Sequence, residues 1–124
     1  MSKIYAKLGN VEVGDDFPAR VIGVINLSPE SFYPGSVVRT SASVIRRAEE
    51  FVAEGASIVD VGAMGTGPTS KPVSVRVELS RLIPVIRALR KLDVPISVDT
   101  QRSSVAEEAI VSGAEIVNDI SGMR

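Results

Sequence analysis

The stretch VPISVDTQRSSVAEEAIVSGAEIVNDI, residues 94–120, decides the fold. It holds two short apolar runs, VPISVD (94–99) and EIVNDI (115–120), with SSVAEEAIVSG (103–113) between them. The flanking runs read as strands and the middle segment as a helix. Ser104 with Glu107 predicts a capping box at its start, and Gly113 predicts its stop. Strand, helix, strand in so short a span implies a parallel pair joined by a right-handed crossover.

Outward from there, the alternation repeats. SIVDVG (57–62) reads as a strand and SVRVELSRLIPVIRALRKL (74–92) as the helix after it. That helix carries an apolar stripe of Val75, Leu79, Leu82, Ile86 and Leu89, with a kink expected at Pro84. VIGVI (21–25) reads as a strand covered on both faces. SASVIRRAEEFVAEG (41–55) follows as a helix with Ile45, Ala48, Phe51 and Val52 on one face, ending at Gly55. Residues 3–20 read as a hairpin or irregular lead-in. The order βαβαβαβ fits a doubly wound sheet or part of a TIM (βα)8 barrel. A full barrel needs about 250 residues, and this chain has 124. The expected fold class is therefore α/β, the N-terminal half of a TIM barrel. Residues 1–124 form one domain on this reading, with 1–20 as the lead-in and 21–124 as the βα repeats.

Composition narrows the chemistry. Hydrophobic residues make up 44% and charged residues 23%, which are globular values. A net charge of −1 gives no electrostatic case for nucleic acid or an anionic membrane as a partner. No apolar run is long enough to span a bilayer, and no signal-peptide layout opens the chain, so a cytoplasmic location is expected. Cysteine and histidine are both absent. Thiolate chemistry, disulfides, and the commonest general base and transition-metal ligand are thereby excluded for this chain. What is left is carboxylates, amides, hydroxyls, Lys and Arg, and a hard cation such as magnesium.

In α/β folds ligands gather at the carboxyl ends of the strands. The first strand ends on Asn26, the second carries Asp60, the third ends on Asp99-Thr100, and the fourth carries Asn118-Asp119. One such residue is ordinarily a turn former or helix cap. Four strands out of four point to convergence on one site. Asp60 lies between Val59 and Val61, so it faces the opposite way from them or pairs internally; left unpartnered, its burial is costly. The loop GAMGTGPT (62–69) is rich enough in glycine to cradle phosphate, yet it matches neither the Walker nor the G-x-G-x-x-G spacing.

VIGVINLSPESFYPGS (21–36), the Gly-rich second loop, SVDT (97–100) and GAEIVNDISG (113–122) occur in order. Together they resemble the N-terminal half of dihydropteroate synthase, the pterin-binding family of folate synthesis, with INLSPESF similar to its archaeal branch. The resemblance covers residues 21–122. It implies a transferase that joins 6-hydroxymethyl-dihydropterin pyrophosphate to p-aminobenzoate, or a related arylamine, and releases pyrophosphate. It implies that Asn26 helps hold Mg2+, that Thr66 lies near the pyrophosphate, and that Asp99 and Asn118 bind the pterin. Ser28, Pro29, Ser31 and Phe32 would belong to a loop closing over the arylamine. The catalytic residues stay unassigned on this reading. An arylamine is already nucleophilic, so the missing histidine agrees with the mechanism.

Two departures stand out. Met64 and Gly67 occupy positions where the family commonly has Glu and Arg, which leaves the second substrate open. The family's remaining ligands lie on strands five to eight, so the isolated chain is expected to have little or no synthase activity. A truncated chain is the preferred account, and a homodimer pairing two half-barrels through their open edges is the alternative. A pterin-dependent methyltransferase and a non-catalytic pterin-binding module are the competing readings. The Ser28–Phe32 loop favours the synthase.

Overall fold

Parallel pairing runs through the whole chain after an antiparallel lead-in. The structure is a computed structural model that describes residues 5–27, 41–63 and 73–119. Strands β1 (Tyr5–Leu8) and β2 (Val11–Gly14) form the expected hairpin, pairing Tyr5 with Gly14 and Leu8 with Val11. Its tight turn places Gly9 at φ +61°, a conformation that favours glycine. A Cβ there would lie 2.7 Å from Glu115 Oε2 and 3.2 Å from Pro95 Cβ. The hairpin turn thus packs closely against the residues that lead into the third and fourth strands of the main sheet.

The main sheet contains β3 (Val21–Asn26), β4 (Ala56–Gly62), β5 (Ile96–Asp99) and β6 (Ile116–Asn118). They lie side by side in chain order and all pairs are parallel. Helices α1 (Ser41–Ala53), α2 (Val75–Leu89) and α3 (Ser103–Ser112) fill the three crossovers. A doubly wound sheet reverses its strand order at a switch point. These four strands do not reverse, and the arrangement is that of part of a TIM barrel wall, as the sequence predicts.

The period of two along each strand sorts the side chains. Ile25, Val59, Val61, Ile96 and Val98 face the helices and are at most 2% exposed. They pack with Val44 and Ala48 of α1, Leu82 and Ile86 of α2, and Val105 and Ala109 of α3. Gly23 shares this face. A Cβ on it would fall 2.6 Å from the Phe51 ring, so the glycine is what lets α1 lie close to β3. Arg47 covers the same ring, its guanidinium 4.7 Å from the centroid.

Several expectations need correction. β3 is covered on one face only: Ile22 and Val24 are 48% and 62% exposed on the other. Helices cover the outside of a barrel wall, while the inside is covered by strands across the barrel. In α1, Val44 is buried where Val52 was expected, and Val52 is exposed. In α2, Val75 is also exposed, and the helix runs to Leu89 with Pro84 inside it. The capping box is absent. Ser103 and Ser104 are already helical, and Arg102 is the N-cap without a side-chain cap hydrogen bond. The Arg102 N–H turns instead to Thr100 Oγ1 at 3.2 Å. Gly113 closes α3 at φ +131°, as its sequence position suggests.

Candidate functional site

The inward face of the sheet carries the polar strand-end residues. Asn26 pairs in register with Gly62, Gly62 with Asp99, and Asp99 with Asn118. Three of the residues predicted for the site therefore fall in a single row across the carboxyl end of the sheet. The row has one gap, at Gly62. A Cβ there would sit 3.3 Å from Asp99 Cβ and 3.4 Å from its Oδ2. The bare backbone at this position gives the Asp99 side chain its room.

Directly below, Val24, Asp60 and Ser97 make a second row, with Ser97 paired to Ile116. Asp60 faces away from Val59 and Val61, the first of the two orientations its sequence allows. It is 4% exposed, and its Oδ1 is buried without a hydrogen-bond partner among the described residues. Burial raises its pKa, while hydrogen bonding from Ser97 and Asn118 works in the opposite direction. Asp99 is pushed up to about 6, first by burial, then by the nearby charges of Asp60, Glu78 and Asp119. The inward face thus holds two carboxyl groups that resist ionisation, one row apart.

A cavity of about 330 Å³ lies against the second row, and of the first row only Asn118 lines it. Ile22, Val24, Ile58 and Ile116 supply apolar walls, and Asp60, Ser97 and Asn118 supply polar ones. Leu8 of the hairpin also lines it. An apolar slot with a few converging polar groups suits a flat heterocycle with hydrogen-bonding edges.

A buried network fixes the rim. Glu78 on α2 is fully buried. Its Oε2 accepts from Thr100 Oγ1 at 2.7 Å, and its Oε1 accepts from Arg102 Nη1 at 3.1 Å. Arg102 Nη2 also donates to the Val73 carbonyl at 2.6 Å, and the Thr100 N–H donates to the Asn118 carbonyl at 3.2 Å. The start of α2 and the ends of β5 and β6 are therefore tied together beside Asp99. Arg81 adds a bond from Nη1 to the Ala63 carbonyl, 2.9 Å, just past β4. The sequence gives no signal for Glu78, which looks like one more charge on an amphipathic helix. Asp60 was visible as a strand carboxylate, but only the register locates it under Asp99.

Of the other predicted site residues, Thr66, Ser28, Pro29, Ser31 and Phe32 lie outside the described residues, as do Met64 and Gly67. The only predicted metal ligand within them is Asn26, and no group of three or more acidic side chains among the described residues is arranged to hold a metal ion. Nor is any described helix long and apolar enough to cross a membrane.

Comparison with known proteins gives the same direction. Residues 22–124 match the family model described as pterin binding enzyme. A dihydropteroate synthase of Synechocystis sp. is 46% identical over 103 residues, covering 82% of this chain and 36% of that protein. Among solved structures, the Burkholderia cenocepacia dihydropteroate synthase complexed with 7,8-dihydropteroate superposes with a TM-score of 0.78 at 37% identity. That match covers 97% of this chain and 39% of the other. The Yersinia pestis enzyme in complex with a sulfonamide drug gives a TM-score of 0.87 at 30% identity, over 98% and 44% of the two chains. The chain thus spans well under half the length of these relatives. With a family match over nearly its whole length and the polar row at the carboxyl end of a barrel wall, this chain belongs to the pterin-binding enzyme family.

Proposed function

We propose that the chain is the pterin-binding portion of a dihydropteroate synthase-like transferase. The reaction joins 6-hydroxymethyl-dihydropterin pyrophosphate to p-aminobenzoate or a related arylamine. The amine nitrogen bonds to the exocyclic carbon, the C–O bond to pyrophosphate breaks, and the amine gives up one proton. The observation that carries this reading is the in-register row of Asn26, Gly62, Asp99 and Asn118 above an apolar slot. In it, Asp99 accepts from ring N–H groups, and the Asn118 amide both donates and accepts along the heterocycle's edge. A ring with the wrong pattern leaves these groups unpaired, which is the source of selectivity.

Asn26 suits magnesium. Its amide oxygen is a hard donor, and a single protein ligand matches a cation that keeps waters and binds substrate phosphates. When bound, the cation would offset charge on the departing pyrophosphate. The residues themselves hold the pterin and aim its reactive carbon at the mouth of the cavity. A cytoplasmic location belongs to the same reading, and self-association through the β3 and β6 edges is the alternative to a truncated chain. Sedimentation velocity giving a monomer at micromolar concentration would remove the self-association.

Titration calorimetry with a dihydropterin and magnesium tests the reading, followed by a product assay with two different arylamines in the full-length protein. Binding together with pyrophosphate release supports the transferase. Binding without product from either amine supports a pterin-binding module instead, and no binding at all removes the reading.

A further inference from the structure

The cavity contains one polar atom that the row above does not explain. Asp60 Oδ1 is buried and unpartnered among the described residues, and its side chain lines the cavity. Ser97 and Asn118 hydrogen-bond to this carboxyl group, yet Oδ1 stays unmatched. An acceptor in that condition destabilises the fold unless something supplies a donor, so its place in the cavity lining calls for a donor from a ligand. Apart from Ser97 and Asn118, the walls around it are apolar: Leu8, Ile22, Val24, Ile58, Ile116 and Val117.

We propose that Asp60 is a further recognition residue of this site, with Oδ1 accepting an N–H from the 2-amino-pyrimidine edge of the bound heterocycle. The assignment rests on the pterin reading above and adds to it a residue and a ligand edge. The edge follows from chemistry. The substituent that reacts lies on the pyrazine ring of a pterin and must face the strand ends, where pyrophosphate and amine meet it. The opposite edge, with its amino group and ring N–H, then points toward the lower row, where Asp60 stands between Val24 and Ser97. A carboxylate is matched to adjacent N–H donors of this kind. Burial raises the pKa of Asp60, and a ligand donor would relieve part of that penalty.

The test is calorimetric binding of 7,8-dihydropterin and of its 2-deamino analogue to the full-length protein, wild type and Asp60→Asn, with Asp99→Asn alongside. Asp60→Asn is expected to weaken 7,8-dihydropterin binding by about 10–100-fold, the range for a hydrogen bond to a charged group. The analogue is expected to bind wild type and variant alike, and thermal unfolding to shift little or upward, because a poorly matched buried carboxylate has been removed. Asp60→Ser, smaller and neutral, gives the same pattern if the site acts as argued. An unchanged affinity in Asp60→Asn with a loss in Asp99→Asn overturns the Asp60 assignment and leaves the pterin reading standing. An equal loss for both ligands, with a lowered melting temperature, makes Asp60 a structural residue and also overturns it. Wild-type protein that binds no dihydropterin overturns the pterin reading itself.

Discussion

Asp99 sits where three other carboxylates reach it, and its pKa of about 6 has a sign that can be checked. Between the ordinary 3.8 and about 6 the folded chain holds a proton that the unfolded chain releases. Its contribution to stability therefore falls as pH rises through that window and is level above it. Asp99→Asn should flatten this part of the stability–pH profile, followed by urea denaturation from pH 4 to pH 7. On the proposed reading the same proton limits recognition: dihydropterin affinity should rise as pH climbs through about 6 and Asp99 becomes a full acceptor. In Asp99→Asn, calorimetry should find the affinity lower and its pH dependence much reduced. Gly62→Ala brings a methyl to 3.3 Å from Asp99 Cβ, closer than an ordinary contact. It is expected to displace the carboxyl group and weaken dihydropterin binding by about tenfold with a modest loss of stability, on the order of 1 kcal/mol. Asn26, Asp99 and Asn118 were legible in the sequence because each closes a strand, and the two-residue period then puts them on one face. Asp60 was harder to assign, since its depth depends on how β4 aligns with β5, and nothing local encodes that alignment.

At the scale of elements, short apolar runs and helical stripes located the four parallel strands and three helices among the described residues, while the ends and caps were set by tertiary contacts. α3 is the clearest case. A Ser-x-x-Glu signature promised a capping box, but Thr100 and Glu78 hold the preceding turn and Arg102 becomes the N-cap. That arrangement requires a carboxylate 24 residues away in sequence, on a helix whose charges look solvated. Arg102→Ala leaves Glu78 fully buried with its main charge partner gone. The expected loss is about 3 kcal/mol, the low end for a broken buried pair because Arg102 itself reaches the surface. Chemical denaturation measures it, and Glu78→Gln should lose less, since the part-buried arginine can turn to water. Gly23→Ala tests the other side of the sheet. Its methyl would enter the Phe51 ring, and α1 has to move; a destabilisation of about 1–3 kcal/mol is expected in the same assay.

For the molecule as a whole, the βα alternation was readable as half of a barrel, but it also fits a doubly wound sheet, and the unreversed order β3-β4-β5-β6 is what separates the two. The exposed inner face of β3 was not readable, since an apolar run is written the same way whether one or both of its faces are covered in the chain at hand. The hairpin is the part whose role only the structure gives. Leu8 reaches the cavity and Gly9 packs beside Pro95 and Glu115. A side chain at position 9 meets both a positive φ and those neighbours, so Gly9→Val should loosen the hairpin. The expected result is faster amide exchange over residues 5–14 and a weaker grip on dihydropterin.

Leu8 in the cavity lining has a kinetic meaning on the proposed transferase reading. We expect the hairpin to stop the cavity of the full-length protein opposite the strand ends, so that its occupants form a queue. The molecule that settles deepest has to arrive before the one that sits above it, and a joined product leaves by the path both reactants used. Initial-rate and product-inhibition patterns for the full-length protein should then fit an ordered sequence with the heterocycle first.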